Sequence, residues 1–137
     1  MGNYDPDKIH PISTAKTKLG LDTNVAATLC YVPFFAVNLI APAVWLTSEP
    51  KDNYFLRFHS AQAVVMVVGY IGLAVVLWVS TLIPFLGFVT GLLSLLLAGA
   101  FFITNFFLMY AAFKNRLVRL PVIGDVADSF LTRIDNR

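Results

Sequence analysis

Long apolar runs, separated by short polar stretches, dominate the pattern of this chain. The first run extends from Asn24 to Thr47. As a helix, its 24 residues would rise about 36 Å, which is enough to cross a hydrocarbon core about 30 Å thick. Pro33 and Pro42 interrupt the run, and each proline removes a backbone donor and tends to kink a helix. The pattern favours a first transmembrane helix here, with a re-entrant hairpin turning at Pro33 as the alternative.

The second apolar run is long enough for more than one helix. No Asp, Glu, Lys or Arg occurs in the 56 residues from Phe58 to Phe113. Two membrane crossings need roughly 40 residues and three need roughly 60, so a pair of long, tilted helices fits best. Pro84 and Gly87 lie at turn spacing inside the run. We expect a second transmembrane helix over residues 60–82 and a third over residues 88–113, joined as a tight hairpin.

Polar segments at the two ends complete the predicted layout. Residues 1–23 form a polar arm, residues 24–113 a transmembrane domain, and residues 114–137 a basic and amphipathic tail. In the tail, apolar residues repeat at spacings of 3, 4 and 4, which predicts one apolar helix face: Ile123, Val126, Phe130 and Ile134. We expect an amphipathic helix at the membrane interface, with a surface helix packed on the protein's own bundle as the alternative. The predicted fold class is an all-α integral membrane protein with three transmembrane helices and this C-terminal interfacial helix.

Composition supports a membrane location and excludes several classes of function. Hydrophobic residues make up 58% of the 137-residue chain and charged residues 13%, whereas a soluble domain is about 25% charged. The mean hydropathy is +0.73. A net charge of +2 is too small to indicate a nucleic-acid partner. The single cysteine, Cys30, excludes an intrachain disulfide, and we interpret it as a packed thiol.

The distribution of basic residues predicts the orientation in the membrane. With three spans, the N-terminal arm and the Pro84 turn share one side, which carries three Lys. The first loop and the tail share the other side, which carries seven basic residues. The positive-inside rule then puts the C-terminus in the cytoplasm and the N-terminus outside. In the hairpin alternative, both termini and all ten basic residues are cytoplasmic.

One polar cluster lies at the start of the second predicted span. His59 and Gln62 are three residues apart and share a helix face. Arg57 can reach phosphate headgroups while Phe58 anchors below them. We interpret the cluster as an interfacial anchor with a hydrogen-bond network, and as the alternative a docking or ligand site on the cytoplasmic side.

Residues with catalytic or metal-binding chemistry are few. The only histidines, His10 and His59, are far apart in the sequence, whereas a zinc site needs three or four His, Cys or carboxylate ligands. The sequence contains neither a phosphate-binding loop nor a nucleophile motif. We therefore expect no catalytic residue, no metal and no cofactor.

The third predicted helix carries a stripe of small residues. Steps of 4, 3 and 4 place four of them on one face: Gly87, Gly91, Ser94 and Ala98. Such a stripe lets helix backbones approach closely in a membrane. Its partner is either another copy of the protein or the second helix, which carries Gly69 and Gly72. We also expect Asn38 and Asn105 to hydrogen-bond between helices.

Three stretches of sequence resemble a known family. They are LCYVP at 29–33, FLRFHSAQ at 55–62 and RLPVIGD at 119–125. In these stretches the chain resembles small prokaryotic membrane proteins of unknown function. Those proteins are grouped with the Tic-twenty-like component of the chloroplast inner-envelope import machinery, and some magnetosome-membrane proteins are similar to them. For the prokaryotic branch the resemblance implies an integral membrane protein without a settled activity, and for the chloroplast branch a part in protein translocation.

These observations predict a non-enzymatic, multi-pass protein of the cell membrane, in a prokaryote the inner membrane. Its expected partners are membrane lipids and either copies of itself or a larger membrane protein. The alternative, which follows from the resemblance, is a component of a protein-translocation or permeation pathway. A pore should show a polar helix face, and residues 60–82 offer few polar side chains.

Overall fold

The structure, a computed structural model, describes residues 16–136 of the chain. Within that range it is all-helical, as predicted, apart from turns and an isolated bridge between Lys16 and Asp22. The helices are α1 (Thr23–Leu29), α2 (Phe35–Ser48), α3 (Tyr54–Ser80), α4 (Leu86–Phe113) and α5 (Ile123–Asp135). By length and apolar composition α3 and α4 are candidate membrane spans, and α2 is a shorter apolar helix.

The first apolar run forms two helices that turn back on each other. The break between α1 and α2 contains Pro33, while Pro42 lies inside α2. Near the start of α1, the backbone N–H of Lys18 donates to Glu49 Oε1, just past the end of α2, at 2.9 Å. The start of α1 and the end of α2 therefore lie at the same end of the molecule. A continuous helix over residues 24–47 was the wrong expectation, and the count of three spans is not confirmed.

The hairpin expected around Pro84 is confirmed. Helix α3 ends at Ser80 and α4 begins at Leu86, and Phe85 has a left-handed backbone with φ 67°. A Cβ at Gly87 would lie 3.1 Å from the carbonyl oxygen of Thr81, which is closer than most side chains come to backbone. Glycine therefore permits this tight turn.

The helices divide the molecule into two parts. We call the first the head: α1, α2, α5, residues 54–67 of α3 and residues 101–113 of α4. In the head, α3 is surrounded by the other helices, and its residues 56–63 are all buried. The second part is residues 68–100, which from here on we call the arm; it is distinct from the polar segment at residues 1–23. Its side chains are largely exposed, as with Trp78 at 66% and Phe88 at 83%.

Helix α5 packs along the first half of α3 rather than standing apart from the bundle. Its buried residues are Gly124, Ala127 and Leu131, and the last two form a cluster with Phe58 and Ala61 of α3. The expected apolar face is not the buried one: Val126 and Ile134 are exposed, while Ile123 and Phe130 are half-buried. Because residues 124 and 127 are small, the helix face that carries Gly124, Ala127 and Leu131 packs closest to α3.

Candidate functional site

Gln62 is the centre of a buried polar network in the head. Its side chain is fully buried. Its Nε2 donates to the carbonyl oxygen of Val118 at 3.1 Å and to the hydroxyl of Tyr31 at 3.2 Å. Its Oε1 accepts from the backbone N–H of Leu120 at 3.1 Å. One amide thus connects α3 to the break between α1 and α2 and to the segment that leads into α5.

His59, one helical turn before Gln62, makes similar hydrogen-bond contacts. Its Nδ1 lies 3.0 Å from the Tyr31 hydroxyl, and its Nε2 lies 3.2 Å from the carbonyl oxygen of Arg116. A neutral ring with the proton on Nε2 satisfies both contacts, because Nε2–H donates to the carbonyl and the tyrosine hydroxyl donates to Nδ1. The ring also packs edge-on against Phe55, with 4.7 Å between centroids.

Arg57 of α3 contacts the C-terminal ends of α2 and α5. Its guanidinium donates to the carbonyl oxygens of Leu46 and Glu49 at 3.0 and 3.1 Å, at the C-terminus of α2. Cations are favourable there because the last carbonyls of a helix lack partners. The guanidinium also pairs with the carboxylate of Asp135, at the end of α5. Lys51 donates to the Asp135 carbonyl oxygen.

A second set of contacts holds the start of α5. Arg119 pairs with Asp125 at 3.1 Å and also with Asp128. The Tyr54 hydroxyl donates to Asp128 Oδ1 at 2.7 Å. The Tyr54 contact and the Arg57 pair thus join the middle and the end of α5 to α3, while Arg119 joins α5 to the segment before it.

The structure brings the four predicted cluster residues together but buries them. Arg57 is 4% exposed, and Phe58, His59 and Gln62 are fully buried. Arg57 does not extend toward headgroups as expected, because its donors are used by α2 and α5. The hydrogen-bond network is present as predicted. A docking surface would need accessible side chains, and these are not accessible.

The polar groups expected to join helices do so. Asn38 Nδ2 donates to Asn105 Oδ1 at 2.9 Å, and both side chains are buried. Cys30 is buried, with its Sγ 3.5 Å from Ser60 Oγ. Among residues 16–136, no group of three or more His, Cys, Asp or Glu is placed to hold a metal ion.

The small-residue stripe lies along the edge of the contact between α3 and α4. Gly87, Ser94 and Ala98 are half-buried, and Gly91 is exposed. A Cβ at Gly91, Gly69 or Gly72 would meet nothing within 4 Å. The two glycines of α3 therefore do not pack against the stripe. The hairpin is held instead by larger groups, such as Tyr70 stacked on Phe101 at 4.2 Å.

Several members of the network were not found from the sequence. Tyr31, Glu49 and Asp135 were not predicted to contact α3. One signal was available: Asp128 and Asp135 are seven residues apart, so they share a side of α5. That spacing indicated two carboxylates able to form ion pairs with basic side chains of a neighbouring segment.

Comparison with known families matches residues 22–127, most of the described chain, to MamF/MmsF, the magnetosome magnetite crystal formation protein family. The chain belongs to this family. The expected similarity to magnetosome-membrane proteins is thereby confirmed, whereas membership of a Tic-twenty-like family is not shown.

Curated relatives of this family member are archaeal membrane proteins. A UPF0132 membrane protein of Methanocaldococcus jannaschii is 34% identical over 119 residues, covering 87% of this chain and 97% of the relative. A second from the same organism is 31% identical, covering 82% and 72%. One from Archaeoglobus fulgidus is 31% identical, covering 77% and 91%. No solved structure matches the chain. Together with the apolar helices, these relatives show that this is a membrane protein.

Proposed function

We propose that this protein is a non-enzymatic integral membrane protein of the cell membrane that serves as an accessory subunit, assembling with copies of itself or with a larger membrane protein. The chemistry of the head supports this proposal. Arg57, His59, Gln62 and Cys30, which carry its most reactive or polar groups, are buried and bonded internally. Their role is to hold the head together, which leaves the arm as the surface for partners.

One observation carries the assembly proposal: the open surface at Gly91. This glycine is the exposed member of the stripe, midway along the arm, and a side chain there would touch nothing in its own chain. Association between helices in lipid depends on close van der Waals packing, which small residues permit. A second helix can therefore approach the backbone of α4 at this position.

Replacement of Gly91 by Leu tests the proposal. Because a Cβ at Gly91 meets open space, the fold should tolerate the change, while a partner helix should be pushed away. We expect the mass of the detergent-solubilised protein to fall from oligomer to monomer at unchanged melting temperature. Gly99→Leu is the matched control, since its surroundings are equally open and it lies outside the stripe. A wild-type monomer in several detergents and in lipid nanodiscs, with no co-purifying partner, would contradict the proposal.

We further propose that only α3 and α4 cross the membrane, with both termini in the cytoplasm. The hairpin of α1 and α2 supports this topology, since the start of α1 and the end of α2 meet at Glu49. All the Lys and Arg residues that the structure describes lie at the head end, and none occurs between residues 58 and 113. The positive-inside rule then places the head at the cytoplasmic face. The head also shelters the re-entrant backbone, which must be buried in protein.

Cysteine labelling distinguishes this topology from three spans. In a Cys30→Ser background, single cysteines at Lys18 and Asn136 should react with an impermeant maleimide from the cytoplasmic side. A cysteine at Phe85, which is 99% exposed at the tip of the arm, should react from the opposite side. Labelling of positions 18 and 136 from different sides would support three spans instead.

Other functions have less support from the site. A translocation or permeation role remains the alternative, but the polar side chains Asn38, Gln62 and Asn105 bond within the head rather than line a path. Magnetite crystal formation is the description of the matched family. The archaeal relatives are named as membrane proteins, and the proposal is built on that property.

A further inference from the structure

An apolar groove runs along the junction of head and arm. Its volume is about 440 Å³, and α3, α4 and the start of α5 each contribute a wall. Gly69 lies in the α3 wall between Val65 and Leu73, and Ala100 lies in the α4 wall. A Cβ at Gly69 would meet nothing within 4 Å, so the absence of a side chain there keeps the groove open.

Toward the head end, the groove adjoins a surface that carries both apolar and polar side chains. Val122 and Val126 border both the groove and a second, adjoining cavity of about 520 Å³ on the outer side of α5. Ser129 and Arg133 line that second cavity, and both are exposed. Asp125 also lines it, with its carboxylate paired to Arg119.

The apolar groove and the surface around Arg133 follow one another in the same order as the acyl chain and the headgroup of a membrane lipid. From its start beside the groove, α5 runs to Asp135 beside Arg57, so Arg133 lies nearer the basic end of the molecule than the groove does. The apolar part therefore lies along the candidate spans, and the cationic part lies where phosphate headgroups meet the membrane surface. An apolar helix of a second copy would fill the groove but leave Ser129 and Arg133 uncovered.

We propose that the groove binds one acyl chain of an anionic membrane phospholipid, whose phosphate contacts Arg133 and Ser129. The acyl chain lies between α3 and α4 against Gly69 and Ala100. This site does not depend on the assembly proposal, because all of its walls belong to a single chain.

Native mass spectrometry of the full chain, titrated with phosphatidylglycerol or phosphatidylcholine, tests the site. We expect one phosphatidylglycerol to remain bound per wild-type chain. Gly69→Leu and Ala100→Leu, which fill the groove from opposite walls, should abolish retention. Gly72→Leu is the matched control, since it is equally open but does not line the groove. Arg133→Gln should weaken phosphatidylglycerol binding about five-fold, the effect of one basic residue near an anionic surface. It should weaken phosphatidylcholine binding less, because the choline cation of that lipid offsets the charge of its phosphate.

Three results would overturn the proposal. Full lipid retention by both folded groove-filling variants would show that the chain does not bind there. A change in oligomer mass without a change in lipid count would assign the groove to a second copy. Equal weakening by Arg133→Gln and by Arg116→Gln, an exposed basic residue away from the groove, would show general attraction rather than a phosphate contact. Melting temperatures of all variants identify any that fail to fold.

Discussion

Gln62→Leu removes the centre of the buried network while nearly preserving the size of the side chain. The wild-type amide makes three hydrogen bonds, to Leu120, Val118 and Tyr31. Two of them hold the segment that connects α4 to α5. The substitution should therefore loosen this connection before it affects the apolar packing of the head.

The size of the effect follows from the number of bonds lost. A hydrogen bond inside a protein contributes about 1 kcal/mol net, and bonds between membrane helices average about 0.6 kcal/mol. At about 1 kcal/mol each, the two bonds that hold this segment give about 2 kcal/mol, or roughly a thirty-fold change in the local opening equilibrium. Leu120 and Val118 are only half-buried, so water can partly satisfy the groups left behind and no larger penalty is expected.

Hydrogen exchange followed by mass spectrometry measures the opening of the segment between α4 and α5 directly. Peptides that cover residues 116–124 should exchange about thirty-fold faster in Gln62→Leu than in wild type, while arm peptides should not change. Ser80→Ala is the control, because the hydrogen bond of the Ser80 hydroxyl within residues 16–136 stays in its own helix, to the carbonyl oxygen of Val76 at 2.8 Å. Unchanged exchange over residues 116–124 in a folded Gln62→Leu protein would refute the role given to this side chain.

Further predictions concern the other polar contacts of the head. In a double-mutant cycle with leucine at both positions, Asn38 and Asn105 should show a coupling energy of about 0.6 kcal/mol, and at most about 1.7 kcal/mol; zero coupling in unfolding measurements would contradict the observed bond. Arg57→Met should lower the free energy of unfolding by about 3 kcal/mol, because it leaves carbonyls of α2 and the Asp135 carboxylate without their cation. Asp135→Asn should cost less, about 1 kcal/mol, since the Asp135 side chain is 30% exposed. Equal losses in the two variants would argue against this ranking.

The long hairpin could be predicted from the sequence because its causes are local. An uncharged run of 56 residues, broken once by Pro84 and Gly87, leaves few alternatives to two spans and a turn. The first run was harder to assign, since 24 apolar residues satisfy the length of a span whether or not they cross the membrane. Pro33 marked a possible break, but the contact from Lys18 to Glu49, which makes the two ends meet, is tertiary and has no signature in the spacing.

The start of α3 shows why polar residues beside an apolar run can mislead. Arg57, His59 and Gln62 looked interfacial because charged and polar groups at the end of a span usually contact headgroups or water. In the structure they lie in eight consecutive buried residues, 56–63, which is possible only where other helices cover every face of α3. Each polar group then needs an internal partner. Besides the side chains of Tyr31 and Asp135, the partners include backbone carbonyls of Leu46 and Glu49 at the end of α2, and of Arg116 and Val118 after α4. The polar cluster therefore serves to join the shorter segments of the head to one central helix.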